Sequence, residues 1–245
     1  MKKRKGMFAL VVVIMGTLGL FIYYSYSIKP APFPTEDRLK KEINQTFPKA
    51  RIKAIQDTIQ VDERHKVVPF ISEKKDYGLS YWIWKKNKWR VAVVNNSGEP
   101  VIWKIEDGKR ARYAFVWNIP TKFKVDSLTF YLKRHRGYMI EGGKNYYIPP
   151  VQMAENVLLH NKTYGVFPIP RDWAAIIDSA RPVQTDWLFS DEEDGDSLNF
   201  GWRPNGKPGI KKPIDFTNNG EGFSSGDIIL LYPEFLEKGS RELDE

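Results

Sequence analysis

The amino-acid sequence predicts an α+β protein: an N-terminal transmembrane helix followed by an extracytoplasmic domain with a predominantly antiparallel β-sheet and a few short helices. Residues 7–26 contain no charged side chain, and short β-rich runs alternate with turn signals from Tyr77 to Leu132. The chain has 245 residues, 42% of them hydrophobic, and no cysteine. This composition excludes a fully disordered chain, a collagen-like repeat and a disulfide-stapled miniprotein.

Residues 7–26, from Met7 to Tyr26, are the predicted membrane anchor. At about 1.5 Å per residue a helix of this length crosses a hydrocarbon core of about 30 Å. Residues 1–6 carry four basic side chains and are predicted to be a cytoplasmic tail, which places the remaining chain outside. Further basic residues after the anchor make the number of positive charges nearly equal on its two sides. The orientation therefore depends on the tight basic cluster and on a long segment that translocates regardless of its charge.

A cleaved signal peptide is the alternative to an uncleaved anchor, because both begin with basic residues and an apolar run. The run here is longer than the roughly 7–15 residues of a usual signal-peptide core. The only small-x-small triplet at its end, Ser25 to Ser27, is a poor cleavage site. We therefore expect the anchor to be retained.

The charge is divided unevenly along the exported part. Residues 29–185 hold 28 Lys and Arg against 16 Asp and Glu, a balance of +12, whereas residues 186–245 hold 6 against 14, a balance of −8. Either the acidic part lies against the basic body, or the charges are spread over a solvated surface. A basic body outside the cytoplasm indicates an anionic wall polymer, lipid head groups or a membrane protein as partner, and not nucleic acid.

The domain is predicted to cover residues 36–245, after a stiff proline-rich linker at residues 27–35. Thr35 is a candidate N-cap for a helix over 36–46, which Pro48 ends. Residues 50–61 favour a strand, since their β-branched residues outweigh a helical spacing of isoleucines. Runs of about ten residues with glycine at the turns then predict an antiparallel meander.

Two helices are predicted after the meander. One begins after Pro149-Pro150 and runs to about Leu159, and the other starts near Asp172 and stops before Pro182. Residues 186–225 are rich in Asp, Glu, Gly, Asn, Pro and Ser, which predicts a long loop acting as a lid or binding loop, or disorder. The apolar run from Ile228 to Tyr232 predicts a strand buried on both faces.

The densest candidate site is the predicted hairpin from Tyr81 to Arg90. Period two places its tryptophans on one face together with Val91 and Val93, and Trp84 opposite Trp89. This face is either core or a stacking platform for sugar rings, with the neighbouring cations contacting phosphates or carboxylates. The predicted ligand-binding residues are Trp82, Trp84, Lys85, Lys86, Lys88, Trp89 and Arg90. Trp103 and Trp117 alternate with apolar residues and are expected in the core.

Other patterns point only weakly to chemistry. Asp191 to Asp196 group five carboxylates, which suits calcium, but the spacing differs from the helix–loop–helix calcium pattern. Ser72 and Lys75 match S-x-x-K, a short pattern that chance produces often, and its companion motifs are missing. Three histidines lie in no metal-binding arrangement, and no phosphate loop, dinucleotide fingerprint or G-x-S-x-G appears, so no cofactor, metal or catalytic residue is predicted.

These observations favour a non-catalytic cell-envelope binding or assembly module on a single-pass anchor. One alternative is a carboxylate-dependent cell-wall or glycan hydrolase in which residues 186–225 form the lid. A structural subunit of a membrane complex, with the anchor making the specific contact, is the other alternative.

Overall fold

The structure is a computed structural model that describes residues 11–19, 29–107, 110–141, 143–180, 198–206 and 221–237. Among these residues it is dominated by antiparallel sheet and contains three α-helices, so the predicted sheet-rich α+β class is confirmed. The helices are α1 (11–19), α2 (Glu36–Thr46) and α3 (Arg171–Ala180). Within the described ranges no helix has the length and apolarity that a membrane crossing requires; most of the predicted anchor at 7–26 lies outside them.

Sixteen strands are described, and they form three larger sheets and one separate hairpin. The first eight strands are β1 (Ile52–Ile55), β2 (Ile59–Gln60), β3 (His65–Ser72), β4 (Tyr77–Lys85), β5 (Lys88–Asn95), β6 (Val101–Asp107), β7 (Arg110–Asn118) and β8 (Val125–Arg134). The others are β9 (Gly137–Glu141), β10 (Lys144–Ile148), β11 (Val151–Leu158), β12 (Tyr164–Pro168), β13 (Asn199–Gly206), β14 (Gly222–Ser224), β15 (Ile229–Leu231) and β16 (Glu234–Phe235).

The sheets are stacked in layers. Sheet 1 has the order β1-β3-β4-β5-β14 with β2 also on β3, sheet 2 has β12-β7-β6-β15, and sheet 3 has β11-β8-β13-β16. One face of sheet 1 packs on α2, and its other face packs on sheet 2. The second face of sheet 2 packs on sheet 3 and α3. Sheet 2 is therefore covered on both faces, which explains why β6 and β7 alternate between two cores.

Two of the three helices predicted within the domain are confirmed. Helix α2 begins and ends where the sequence predicted and buries Leu39 and Ile43 on sheet 1, although the Thr35 side chain makes no capping hydrogen bond. Helix α3 buries Trp173 and Ile177 between sheets 2 and 3. Its amphipathic spacing was sufficient to locate it because one face packs and the other is solvated.

The helix predicted to begin after Pro149-Pro150 and run to about Leu159 is wrong: residues Val151–Leu158 are strand β11. They pair with β8 in unbroken register, from Val151 with Arg134 to Leu158 with Ser127. Three alternate side chains on one face pack on the core while their neighbours point to solvent. The long partner strand outweighs the helix propensity of Met, Ala, Glu and Leu in this segment.

Residues 186–225 are not a single structureless loop. Residues Asn199–Gly206 form β13, which lies between β8 and β16 and is a central strand of sheet 3. Its core side chains are Phe200 and Trp202. The carboxylates from Asp191 to Asp196 lie outside the described residues.

The apolar run at Ile228–Tyr232 is not buried on both faces. Strand β15 covers only Ile229–Leu231 and lies at an edge of sheet 2, where β6 is its one partner among the described strands. Ile229 is 41% exposed and Tyr232 75% exposed. A short edge strand has one neighbour and one packed side, so a continuous apolar run does not ensure burial.

The predicted meander holds as far as its hairpins but is divided among three sheets, because its last strand, β8, lies in sheet 3. Strands β4 and β5 pair in sheet 1, and β6 and β7 pair in sheet 2. The connection at residues 96–100 crosses from one sheet to the other instead of making a hairpin. Gly98 permits this crossing, because an added Cβ would overlap the backbone oxygen of Asn118.

Candidate functional site

Two adjoining cavities form a groove at the crossing between sheets 1 and 2, which we call the basic cleft. Their volumes are about 370 and 600 Å³, and both are lined by Lys74, Asp76 and Asn96. The walls come from the β3–β4 turn, the β5–β6 connection and the 3₁₀ turn Thr121–Phe123. The charged residues around the cleft are Lys49, Arg51, Lys74, Lys75, Lys122, Asp76 and Glu221.

The β3–β4 turn is held in one conformation by Ser72, which is 1% exposed. Ser72 Oγ donates to Asp76 Oδ2 at 3.0 Å and accepts from the Asp76 backbone N–H at 3.0 Å. Two backbone hydrogen bonds close the same turn: the Ser72 N–H donates to the Asp76 oxygen at 2.9 Å, and the Lys75 N–H donates to the Ser72 oxygen at 3.0 Å. Ser72 is therefore a buried structural residue and not the exposed nucleophile that S-x-x-K would require. The turn presents Lys74 and Lys75 at the rim of the cleft.

The β5–β6 connection supplies the polar floor. Asn95 Oδ1 accepts from the Ser97 N–H at 2.7 Å, which fixes the start of the connection. Asn96 Nδ2 donates to the Lys49 backbone oxygen at 3.4 Å, whereas Asn96 Oδ1 is buried and has no hydrogen-bond partner in the described structure. An unpaired buried acceptor is costly, and such groups are rare in folded proteins.

The electrostatics of the cleft favour an anion. Its lining contains five basic and two acidic side chains. Glu221 is paired with Lys49, with Nζ and Oε1 2.8 Å apart. In the part of the chain that the structure describes, Arg51, Lys74 and Lys75 form no ion pair.

Two of these cations sit on unusual backbone. Arg51 has φ 41° and Lys75 has φ 67°, in the left-handed region that glycine usually occupies. Such conformations cost free energy and persist where the surrounding structure requires them, and they are concentrated at functional sites. The cleft is lined by both residues.

The residues predicted from the sequence as a ligand platform lie on the β4–β5 hairpin, apart from the cleft lining. Trp84 pairs with Trp89 as predicted, and Lys86 and Asn87 form the two-residue turn with φ near +55°. All three tryptophans are buried: Trp82 is 0% exposed, and Trp84 and Trp89 are each 8% exposed. Their ring faces are in the core, so the core interpretation describes them and a sugar has no access to them here.

The cover over these rings comes from the predicted linker. Trp89 Nε1 donates to the Ala31 backbone oxygen at 2.8 Å, and Phe33 meets Trp82 and Trp89 edge-on at 5.4 and 4.9 Å. The end of the linker thus packs on the domain and is not only a spacer. Lys66 Nζ lies 5.1 Å from the Phe33 ring centre and closes the same contact.

The hairpin cations differ in their surroundings. Lys86 and Lys88 are exposed at the tip. Lys85 Nζ is 2.5 Å from Asp227 Oδ1, and hydrogen bonds from Lys85 and Ser225 lower the pKa of Asp227. Arg90 is half-buried, with its Nε unpaired in the described structure. Their predicted role in ligand binding stays a prediction.

The predicted shared face of the hairpin is broken at one residue. Trp82 pairs with Val91 and Tyr81 pairs with Val93, so the register shifts at Ala92. This bulge turns Val93 toward sheet 2, while Val91 stays with the tryptophans.

A polar cluster that the sequence did not predict joins Asp62, His65 and Arg112. His65 Nδ1 lies 2.8 Å from Asp62 Oδ1, and Arg112 Nη2 donates to Asp62 Oδ2 at 2.7 Å. Burial opposes ionisation of Asp62, but hydrogen bonds from His65, the Arg64 N–H and Arg112 outweigh it and hold the pKa of Asp62 well below its usual range. No hydroxyl in the described ranges hydrogen-bonds the other ring nitrogen of His65, so the cluster has no activated nucleophile.

Sequence reasoning missed the cleft because its cations are far apart in the chain, from Lys49 to Lys122. The available signal was the Lys74-Lys75 pair beside the turn and the glycine of the β5–β6 connection. No protein-family model, curated protein or solved structure matches this chain.

Proposed function

We propose that the protein is a single-pass membrane protein, anchored through residues 7–26, whose extracytoplasmic domain binds an anionic component of the cell envelope in the basic cleft. The observation that carries the binding proposal is the cluster of Arg51, Lys74 and Lys75 at one rim, three cations that form no ion pair with any described residue. The anchor proposal is supported by the uncharged run and by the basic residues before it.

The expected ligand is a polymer that carries phosphates or carboxylates together with hydroxyl groups. Its anionic groups would meet the lysines, and its hydroxyl groups would meet polar residues of the lining such as Ser97 and Thr121. The cleft is open and shared between two cavities, which suits a chain passing through it better than a small enclosed molecule.

Binding is favoured over hydrolysis by the state of the cleft carboxylates. Glu221 is ion-paired with Lys49, and Asp76 is hydrogen-bonded by Ser72 as part of the turn. A glycosidase needs one carboxylic acid and one carboxylate flanking the scissile bond. Turnover of a glycan that is lost in Asp76→Asn while the fold is kept would support the hydrolase alternative instead.

The test uses the full chain in lipid nanodiscs and a fluorescent glycerol phosphate oligomer as the anionic probe. We expect binding that weakens as salt is raised, because surface charge contacts are screened. Replacing two cleft cations, Lys74→Gln with Lys75→Gln, should weaken binding about fivefold, near 1 kcal/mol.

The matched control is the pair Lys86→Gln with Lys88→Gln at the β4–β5 hairpin tip. It removes the same charge from another exposed turn, so it should change binding less than about twofold if the cleft is the site. A loss confined to the hairpin pair would overturn the cleft and support the site predicted from sequence. Binding that ignores salt, or a probe that does not bind, would overturn the proposal.

A further inference from the structure

The hairpin β9–β10 extends beyond sheet 3 as a two-stranded arm, which we define as residues Gly137–Ile148. Strands β8 and β11 pair up to Arg134 and Val151, and pairing resumes between Gly137 and Ile148. Within the described ranges the arm pairs with no third strand. A two-stranded hairpin is marginal in water by itself, so a partner that covers one face would stabilise it.

One face of the arm is apolar and exposed. Tyr138 pairs with Tyr147 and Ile140 pairs with Asn145, so these four side chains point to the same side. Tyr138 and Ile140 are each 76% exposed and Tyr147 is 55% exposed, with the two tyrosine ring centres 5.1 Å apart. A contiguous exposed patch of this kind marks an interaction surface.

The base of the arm is basic. A cavity of about 650 Å³ at the junction is lined by Lys133, Arg134, His135 and Arg136 together with residues 150–152, and none of the residues known to line it is acidic. Lys133 is paired with Glu234, so the cations directed at a partner are the two arginines. Arg134 Nε donates to the Pro149 oxygen at 3.1 Å, and its terminal nitrogens, which have no partner among the described residues, suit phosphate oxygens.

The path of the chain keeps the domain close to the predicted membrane anchor. The anchor ends at residue 26, and the chain is packed on the domain from Ala31, whose oxygen accepts from Trp89. Only residues 27–30 lie between, and the five Cα–Cα steps from residue 26 to Ala31 span at most about 18 Å. This part of the inference depends on the anchor in the proposed function.

We propose that the arm docks on the interface of a bilayer that contains anionic lipids. Tyr138, Ile140 and Tyr147 lie at the level of the head groups, where aromatic side chains with a polar end are favoured. Arg134 and Arg136 contact the lipid phosphates, and their charge makes the contact sensitive to lipid composition. Anchor and arm then hold the domain at two points.

The absence of cysteine from the chain provides a direct test. Ile140→Cys in the full chain is labelled with an environment-sensitive fluorophore and reconstituted in nanodiscs of neutral lipid or of neutral lipid mixed with phosphatidylglycerol. We expect a blue shift, and quenching by a lipid with a nitroxide on its acyl chain, in the anionic discs. The matched control is Leu158→Cys, an aliphatic residue that is 57% exposed at the far end of β11; it should show neither effect.

The arginines are tested on the labelled Ile140→Cys background. Arg134→Gln with Arg136→Gln should lower the quenched fraction about threefold, whereas Lys53→Gln with Lys162→Gln, the same charge change elsewhere, should leave it unchanged. Equal signals from positions 140 and 158 in anionic discs would overturn the inference. So would a shift of equal size in neutral discs, or one that appears without lipid as protein concentration rises, which would indicate a second copy.

If the anchor proposal is wrong, the experiment gives a result that differs from failure of the arm proposal. A full chain that does not enter neutral nanodiscs overturns the anchor, and the same labelled chain is then mixed with phosphatidylglycerol vesicles. Quenching at position 140 in those vesicles supports the arm, and no quenching overturns it.

Discussion

Asp62 shows how a single residue links distant segments. Its carboxylate holds His65 from the start of β3 and Arg112 from β7, so it joins sheets 1 and 2 at one point. The T-shaped contact of His65 with Trp103, with ring centres 5.2 Å apart, ties the same point to the core between those sheets. Three sequence segments thus depend on one ionised group.

Asp62→Asn should therefore lower the free energy of unfolding at pH 7 by about 2 kcal/mol, the usual range for hydrogen bonds to a charged group. The folded-state pKa of Asp62 lies below its unfolded value, so its contribution is present above about pH 4 and is lost as pH falls below that. Denaturant unfolding of the original protein and the variant at pH 7 and at pH 2.5 measures how much of the free-energy difference is lost at the lower pH. The exposed neighbour change Glu63→Gln is the control, and an equal loss at both pH values would contradict the prediction.

At the scale of elements, the contact between sheets 1 and 2 contains a buried hydrogen-bond network centred on Asn118. Asn118 at the end of β7 is 0% exposed. Its Nδ2 donates to Gly78 O on β4 at 2.8 Å and to Gln56 Oε1 at 2.7 Å, while its Oδ1 accepts from Thr163 Oγ1 at 3.1 Å. This network lies beside the β5–β6 crossing, since the Asn118 N–H also donates to Gly98 O.

Asn118→Ala should cost about 3 kcal/mol of unfolding free energy, because it leaves several buried partners without hydrogen bonds. The exposed change Asn145→Ala on β10 is the control, with an expected effect within about 0.5 kcal/mol. Thermal or denaturant unfolding measures both. A loss of less than about 1 kcal/mol would show that water takes over the hydrogen bonds of the Asn118 side chain.

Strand β11 and strand β13 show where local pattern fails. Segment 151–158 has residues that favour a helix, and segment 199–206 contains glycines, a proline and asparagines that favour a loop. Both pair with β8, which is long and carries the buried Leu128, Phe130 and Leu132. The cross-strand pairing and the burial gained on sheet 3 decide their conformation, and neither is encoded in the segments alone.

For the whole molecule, the central question is the side of the membrane on which the domain lies. The proposed anchor places residue 5 in the cytoplasm and the domain outside. In cells with an intact cytoplasmic membrane, a membrane-impermeant maleimide should therefore label Lys86→Cys and should label Lys5→Cys only after permeabilisation. Labelling restricted to Lys5→Cys would reverse the orientation, and equal protection of both positions until permeabilisation would contradict export.

Local patterns were enough to determine the sheet-rich class, helices α2 and α3, the β4–β5 hairpin and the core positions of Trp103 and Trp117. Each depends on periodicity or turn chemistry within about ten residues, where apolar spacing specifies the buried face. The packing of Phe33 over the tryptophans, the crossing of the chain between sheets and the basic cleft were decided only by tertiary structure. They join residues separated by tens of positions, and contact between such residues depends on how the sheets stack, which no local spacing records.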